Sequence, residues 1–372
     1  MNKPNNSSLM KAQNRINILN LIRTEPVSRA EIARKTGLTR AAVSLIVDNL
    51  LKENLVIEGD AVKSLNGRHP TLLHLNPSAF YIIGIDISRQ GWLVVLTDFS
   101  GNIIKNFSEE FKKTESDTVN AISKNINQLK KEYKNILGVG IIAPGPVDQE
   151  NGVILNPPDL KLFNNFNIVK AIKDATGIDN ICFKKDTNAL ALAEKVTGNR
   201  DNFLYLLADS GLGSAYIKNG SLFQGASGFG CEIGHISLNI FGETCFCGNK
   251  GCAELYTANP RIAKTGGQKD YNTLCFNALN GDKKAISALN YQGEMLGLTL
   301  VSFINLFEPE GIILGGDLIN GSFILVPKIK ETIEKQALSR ATRKIDVCVS
   351  SLKEDARAKA CANLVIENYL AR

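Results

Sequence analysis

Apolar positions follow two rhythms along this chain, helical at the start and in strand-like runs between helices from Phe80 onward. INILNLI, residues 16–22, places its apolar side chains at helical spacing. After Pro26, Ser28 and Glu31 form a Ser-x-x-Glu capping box, which predicts a short helix through Arg34 or Lys35. Gly37 supplies a turn, and Thr39 caps a second helix running to about Leu51. Ile32, Ala33, Leu38, Val43, Ile46, Val47 and Leu50 are the shared buried side of that pair. Leu55-Val56-Ile57-Glu58 and Thr71-Leu72-Leu73-His74-Leu75 then alternate as two strands of a hairpin, with DAVKSLNGRHP as its tip. Two short helices about a glycine turn, followed by a hairpin, predict an N-terminal winged helix-turn-helix, mainly α, over residues 1–77.

Beyond it, FYIIGIDIS and GWLVVLTDF read as apolar strands joined at Arg89-Gln90, and a Ser100-Gly101 turn leads into NIIKNF. A helix from about Ser116 to Lys131 precedes ILGVGIIAPGPVD, another buried strand. Near Asn202 the order recurs in FLYLLADSGLGSAYIKNGSLF: strand, Asp-bearing turn, strand, Asn-Gly turn, strand. Two such meanders with crossover helices predict a duplicated α/β body, its halves at 78–200 and 201–372. The cleft between the halves is the default place for a small ligand.

Charge sharpens the division. Residues 1–80 hold 11 Lys+Arg against 6 Asp+Glu, whereas the remainder is close to neutral, with 32 against 31. A basic head on a neutral body implies a polyanionic partner, and a helix-turn-helix makes that partner operator DNA. The exposed start of the second helix offers Thr39, Arg40, Ala41, Ala42 and Ser44. Small residues there permit close approach to base edges, and Arg40 can reach a guanine or a phosphate. Ser28 and Arg29 at the start of the first helix, and Arg68 on the wing beside Lys63 and His69, complete the expected DNA-binding set. A small helical protein-interaction module is the competing reading. No apolar run is long enough for a membrane span, and the polar start lacks a secretory apolar stretch, so the expected location is cytoplasmic.

In that reducing compartment, clustered cysteines are expected to ligate metal rather than form disulfides. Residues 234–254, GHISLNIFGETCFCGNKGCAE, bring His235, Cys245, Cys247 and Cys252 together as His-x9-Cys-x-Cys-x4-Cys. Three thiolates and one imidazole suit tetrahedral Zn2+, and four protein ligands leave no open position, so the predicted zinc is structural. Gly248 and Gly251 let the loop fold tightly. Cys182, Cys231, Cys275, Cys348 and Cys361 stand singly, as small buried apolar residues would.

The motifs GVGIIAPGPVD, KKDTNALALAE, GASGFGCEIGHISL and CFCGNKGCAE, with VSRAEIARKTGLTRAAVS before them and EPEGIILGGDL after, resemble the ROK family. Its members include sugar-responsive transcriptional repressors and sugar kinases, and the kinases generally lack the N-terminal head. The resemblance implies an actin-like, ribonuclease H-like body of the sugar-kinase type and the same four zinc ligands. It also implies that Glu232, His235 and Glu254 contact sugar hydroxyls, and that Asp186 matches the kinases' catalytic aspartate. Asn156 and Asp159 fall at a further sugar-binding segment, with Asp159 where many members have Asn. Lys185 stands where kinases have Asn, and its charge is expected to pair with Asp186. The family's Asp-x-Gly-Gly-Thr phosphate turn is here Asp86-Ile87-Ser88-Arg89-Gln90, without either glycine. Gly211 and Gly213 keep part of a second glycine turn, and Gly315 and Gly316 part of the adenosine-side signature, so with Asp86 they form a vestigial nucleotide site.

These departures imply a sensor derived from a kinase: a repressor of carbohydrate-metabolism genes that binds a sugar or sugar derivative and is not itself an enzyme. As a homodimer, or a tetramer of such dimers, it presents two heads to a pseudo-palindromic operator. The alternative is an ATP-dependent, glucokinase-like sugar kinase with Asp186 as base, alone or alongside DNA binding. A repressor answering to a partner protein is the other rival.

Overall fold

A computed structural model describes residues 7–61, 71–158, 160–198, 200–338, 344–352 and 355–370 of the chain. Lys63, Arg68, His69 and Asp159 lie outside the described residues.

The head comprises α1 (Ser7–Thr24), β1 (Val27–Ser28), α2 (Arg29–Thr36), α3 (Arg40–Lys52), β2 (Val56–Ala61) and β3 (Thr71–Leu75). Ser28 caps α2, its Oγ accepting the Glu31 N–H at 3.3 Å. The capping box stops there, because the Glu31 carboxylate pairs with Arg34 at 2.5 Å. Gly37 ends α2 at φ +70°, a conformation that favours glycine. Thr39 caps α3 by accepting the Ala42 N–H at 3.2 Å. The three strands form an antiparallel sheet in the order β1-β3-β2, and Val27–Ser28 adds a strand too short to show as a periodic run.

The body carries two five-stranded sheets of identical plan. The first uses β4 (Tyr81–Ile87), β5 (Trp92–Asp98), β6 (Ile103–Glu109), β7 (Ile136–Ala143) and, after three short strands β8 (Val147–Asp148), β9 (Val153–Ile154) and β10 (Phe166–Asn167), β11 (Ile181–Lys185). The second uses β12 (Phe203–Ala208), β13 (Leu212–Lys218), β14 (Ser221–Leu222), β15 (Gly311–Gly315) and β16 (Asp346–Val349). Their orders are β6-β5-β4-β7-β11 and β14-β13-β12-β15-β16, each an antiparallel meander followed by two parallel additions. The predicted duplication is therefore visible strand by strand.

Helices α4 (Glu115–Glu132) and α5 (Ile168–Thr176) cover one face of the first sheet, and α6 (Asp186–Thr197) packs on the second. Three shorter helices, α7 (Glu254–Thr257), α8 (Asn259–Thr265) and α9 (Tyr271–Leu279), lead to α10 (Lys283–Phe307) and α11 (Ser322–Gln336), which cover the outer face of the second sheet. The last helix, α12 (Ala356–Leu370), returns to the first sheet.

Strand alternation explains how α12 fits there. Along β4, Ile83, Ile85 and Ile87 point into the core under α4, which leaves Ile82, Gly84 and Asp86 on the other face. A Cβ on Gly84 would lie 2.7 Å from the Cys361 Cβ, and one on Gly140 only 2.1 Å from the Cys361 carbonyl oxygen. Two glycines on neighbouring strands thus let the backbone of α12 rest directly on the sheet. Among the described residues, no helix is long and apolar enough to cross a membrane.

Candidate functional site

Between the two sheets lies a cleft of about 200 Å³. That is below the roughly 300–1,000 Å³ of pockets for drug-sized molecules, so a small ligand suits it. Asp186, Glu232, His235 and Glu254 all line it, as do Gly211 and Gly213. Gly316 lines an adjoining hollow with Asp209, Asp317 and Arg357. Asn156 is exposed and outside the cleft lining, although Pro158 of the same segment reaches it. Gly315 lies behind the cleft, against the Tyr205 ring.

The wall that carries most of these groups is the cysteine loop. His235 Nδ1 lies 3.7 Å from Cys245 Sγ, and Cys247 Sγ lies 3.6 Å from Cys252 Sγ. All four candidate ligand atoms fall within 4.8 Å of one another. Zn–S bonds near 2.3 Å and Zn–N bonds near 2.0 Å give tetrahedral edges of roughly 3.6–3.8 Å, so the donor set and its spacing fit a metal ion. Gly251, at φ +62°, passes so close to the Asn239 carbonyl that a side chain there would collide at 1.9 Å. Because Nδ1 faces the thiols, the opposite ring nitrogen of His235 is left to make hydrogen bonds. Glu254 Oε1 lies 3.0 Å from Cys245 Sγ, and its Oε2 is 2.9 Å from where a Gly211 Cβ would stand. The loop therefore delivers an imidazole and a carboxylate to one spot.

Charges across the cleft are held by specific partners. Lys185 donates to Glu232 Oε1 at 2.5 Å, not to Asp186 as the sequence suggested. Lys185 ends β11 and Asp186 begins α6, so the two adjacent side chains leave the backbone in different directions. Asp186 instead accepts the Thr187 N–H at 2.6 Å and faces Arg357 Nη2 at 3.9 Å. Arg357 Nη1 donates to Asp86 Oδ1 at 2.9 Å. Burial pushes the Asp86 carboxyl up from its ordinary value, an effect that Arg357 only partly offsets. Arg89, where the family's kinases have a glycine turn, donates from Nη1 to Ser210 Oγ across the cleft. Its Nη2 lies 3.7 Å from the space a Gly211 Cβ would occupy, so a guanidinium fills the region between the two turns.

Several lining residues escaped the sequence reading. Asp209, read only as part of a turn, follows β12 as Asp86 stands next to last in β4, so the duplicated pattern could have placed it in the cleft. Phe229 and Phe246 form an apolar edge to the cleft, 47% and 60% exposed, and no periodicity marks them. The Phe246 ring stands edge-on to His235 with centroids 5.1 Å apart. Arg357 had no local signal at all.

On the head, Thr39, Arg40 and Ala41 are exposed at the start of α3, with Ser44 half-buried one turn on. Arg29 is tied to Asp48 at 2.7 Å and to Glu58 at 3.4 Å. Ser28 is half-buried beneath them as the α2 cap.

The profile of the ROK family matches residues 82–368. A xylose repressor from Bacillus spizizenii is 30% identical over 97% of this chain and 96% of its own length. A crystal structure of a ROK family transcriptional regulator, a homologue of the E. coli MLC protein, superposes with a TM-score of 0.78 at 25% identity, covering 97% of both chains. A ROK family glucokinase from Streptomyces griseus, solved with glucose and AMPPNP, matches with a TM-score of 0.69 at 21% identity and covers 77% of this chain and 99% of its own.

Proposed function

The chain belongs to the ROK family, and from that premise we propose that it is a sugar-responsive, DNA-binding transcriptional repressor of carbohydrate-metabolism genes. One observation carries the reading: a basic head with two capped short helices about Gly37 and a small cleft lined by carboxylates sit in one chain, 97% of which is matched by a xylose repressor and by a ROK family transcriptional regulator. The glucokinase, by contrast, matches only 77% of this chain although 99% of its own length is covered.

In this reading residues 1–77 form a winged helix-turn-helix, residues 78–200 and 201–372 supply the duplicated body, and the protein works in the cytoplasm. Thr39, Arg40, Ala41 and Ser44 face base edges, while Ser28, Arg29 and Arg68 hold phosphates. A homodimer offers two such heads to a pseudo-palindromic operator. His235, Cys245, Cys247 and Cys252 would hold Zn2+, which supplies a fixed loop geometry and no open coordination position. Glu232, Glu254, Asp186 and the second ring nitrogen of His235 then bond sugar hydroxyls, and Asn156 and Asp159 belong to the same sugar-binding set. Arg89 and Ser88 occupy the turn that a nucleotide phosphate would need, so the sensor binds its sugar without transferring phosphate to it. Sugar binding closes the cleft and changes the placement of the heads.

The decisive experiment is an operator-shift assay with a duplex from the protein's own gene neighbourhood, run against D-xylose, D-glucose, N-acetyl-D-glucosamine and their phosphates. A change in operator affinity with one of them is expected; indifference to DNA in every condition would sink the proposal. Arg40→Ala is expected to weaken operator binding by about 1–3 kcal/mol and to relax preference at one base position. Equal weakening on all sequences would move Arg40 to a phosphate contact.

Phe246→Ala tests the apolar edge. Loss of about 0.5–1.5 kcal/mol of ring contact should lower sugar affinity several-fold by calorimetry, with the loop's metal content unchanged. Asp186 and the retained Gly211-Leu212-Gly213 turn line one cleft, which keeps a sugar-kinase reading open to test. ATP-coupled assays on the same sugars should show no turnover.

A further inference from the structure

We propose that α12 is the rigid connector that carries the state of the cleft to the head, with Arg357 as the positioning residue at one end and Asn363 at the other. The inference rests on the sugar-responsive reading above and names the part that makes it work.

At the cleft end, Arg357 bonds Asp86 at 2.9 Å and faces Asp186 at 3.9 Å. A hydroxyl that takes up Asp186 competes with that second contact. At the head end, Asn363 Oδ1 accepts from Arg23 Nη2 of α1 at 3.0 Å. Six residues separate the two, about 9 Å along a helix, so cleft and head communicate through less than two turns.

The helix is fixed so that it cannot absorb a displacement. Its backbone rests on the first sheet at Gly84 and Gly140. The chain just past β16, ahead of α12, is tied to α6, the helix that Asp186 opens: Glu194 of α6 accepts from Ser350 Oγ and from the Ser351 N–H at 3.0 Å. Thr197 and Ser351 share a hydroxyl contact at 2.7 Å. α6 also packs on α12 directly, Ala189, Leu190 and Ala193 sharing an apolar cluster with Ala360, Cys361 and Leu364, so movement of α6 on ligand binding is passed to α12 by contact.

Among the described residues, the head shares its apolar core with α12. Val365, Ile366 and Leu370 belong to the same apolar cluster as Ile18, Leu19 and Val43, and the Tyr369 ring meets Phe80 at 5.4 Å. Asn363 is 2% exposed, and its Nδ2 has no hydrogen-bond partner among the described residues. Packing alone would favour leucine there, so the amide is explained by its bond to Arg23. That guanidinium is bonded by two neutral amides, Asn363 and Asn20 at 3.3 Å, and burial pushes its pKa down to about 10.

The test measures operator Kd for the full-length chain without sugar and at saturating concentration of whichever of D-xylose, D-glucose, N-acetyl-D-glucosamine or their phosphates acts on the wild type. The wild-type ratio of the two Kd values is expected at roughly 5- to 150-fold. Asn363→Leu should leave sugar affinity and sugar-free operator affinity within about threefold of wild type while the ratio falls towards one. Asn363→Asp, which can bond Arg23 as a carboxylate, should keep the ratio. A wild-type ratio retained in Asn363→Leu overturns the connector and leaves the function standing. A wild type indifferent to all these sugars overturns the function and this inference with it. Should Asn363→Leu not fold, Arg357→Lys is expected to keep more of the saturating ratio than Arg357→Gln, and equal ratios in both overturn the connector.

Discussion

Cys252→Ser is expected to lower the melting temperature by roughly 8–16 °C and to abolish the sugar response. The size follows from linkage: a metal present at about 1,000 times its Kd stabilises the folded state by about 4 kcal/mol. A unit of 150–250 residues shifts by about 2–4 °C per kcal/mol. Cys252 is fully buried, and its sulfur is 3.6 Å from Cys247, so serine cannot reproduce the soft ligand. The loss extends to the cleft because the same loop holds His235 by Nδ1 and Glu254 beside Cys245. Chelation of the wild type should reproduce the variant's melting curve, and the variant itself should be insensitive to chelator. Metal analysis, thermal melts with and without chelator, and sugar calorimetry check the three parts separately. An unchanged melt after chelation would remove the structural metal.

The contrast between that loop and Arg357 shows what could be read from the chain alone. The four metal ligands lie within 18 residues, so spacing and residue type suffice to group them. Helix caps are as local: Ser28 and Thr39 bond amides three residues on. The duplicated meander was legible because its leading strands β4, β5 and β12 are apolar runs followed by turn residues, and Asp209 would have joined the site had the two halves been aligned at Asp86.

Arg357 and Asp86, by contrast, are 271 residues apart, and packing alone brings them together. The Lys185 pairing shows the opposite error. Proximity in sequence suggested Asp186, but a strand end followed by a helix start separates adjacent side chains, and the lysine bonds Glu232 instead. Phe229 and Phe246 sit in irregular loops, where a single aromatic carries no pattern. Gly84 and Gly140 are visible as strand glycines, yet their reason is Cys361, whose side chain meets the first and whose backbone meets the second, more than two hundred residues away.

Asp186→Asn carries the other large expected effect, because the same side chain would serve as a ligand in a sensor and as the base in a kinase. The carboxylate is buried, accepts the Thr187 N–H at 2.6 Å, and faces Arg357. Hydrogen bonds to a charged group are each worth about 1.5–3 kcal/mol, so the amide should lower sugar affinity by roughly 10- to 150-fold. Asparagine keeps the shape, and the melting temperature should move by only a few degrees. Operator affinity without sugar should move towards the sugar-bound value, since the amide weakens the same Arg357 contact at 3.9 Å that a bound sugar would release. If Asp186 were a general base, the result would split differently: wild type would phosphorylate the sugar with ATP, and Asp186→Asn would bind it nearly as well while turning over none. The filled phosphate turn favours the first outcome. Arg89 occupies with a guanidinium, bonded to Ser210, the gap in which backbone amides would have to meet a phosphate. Binding calorimetry and a coupled phosphorylation assay on the same two proteins decide between them.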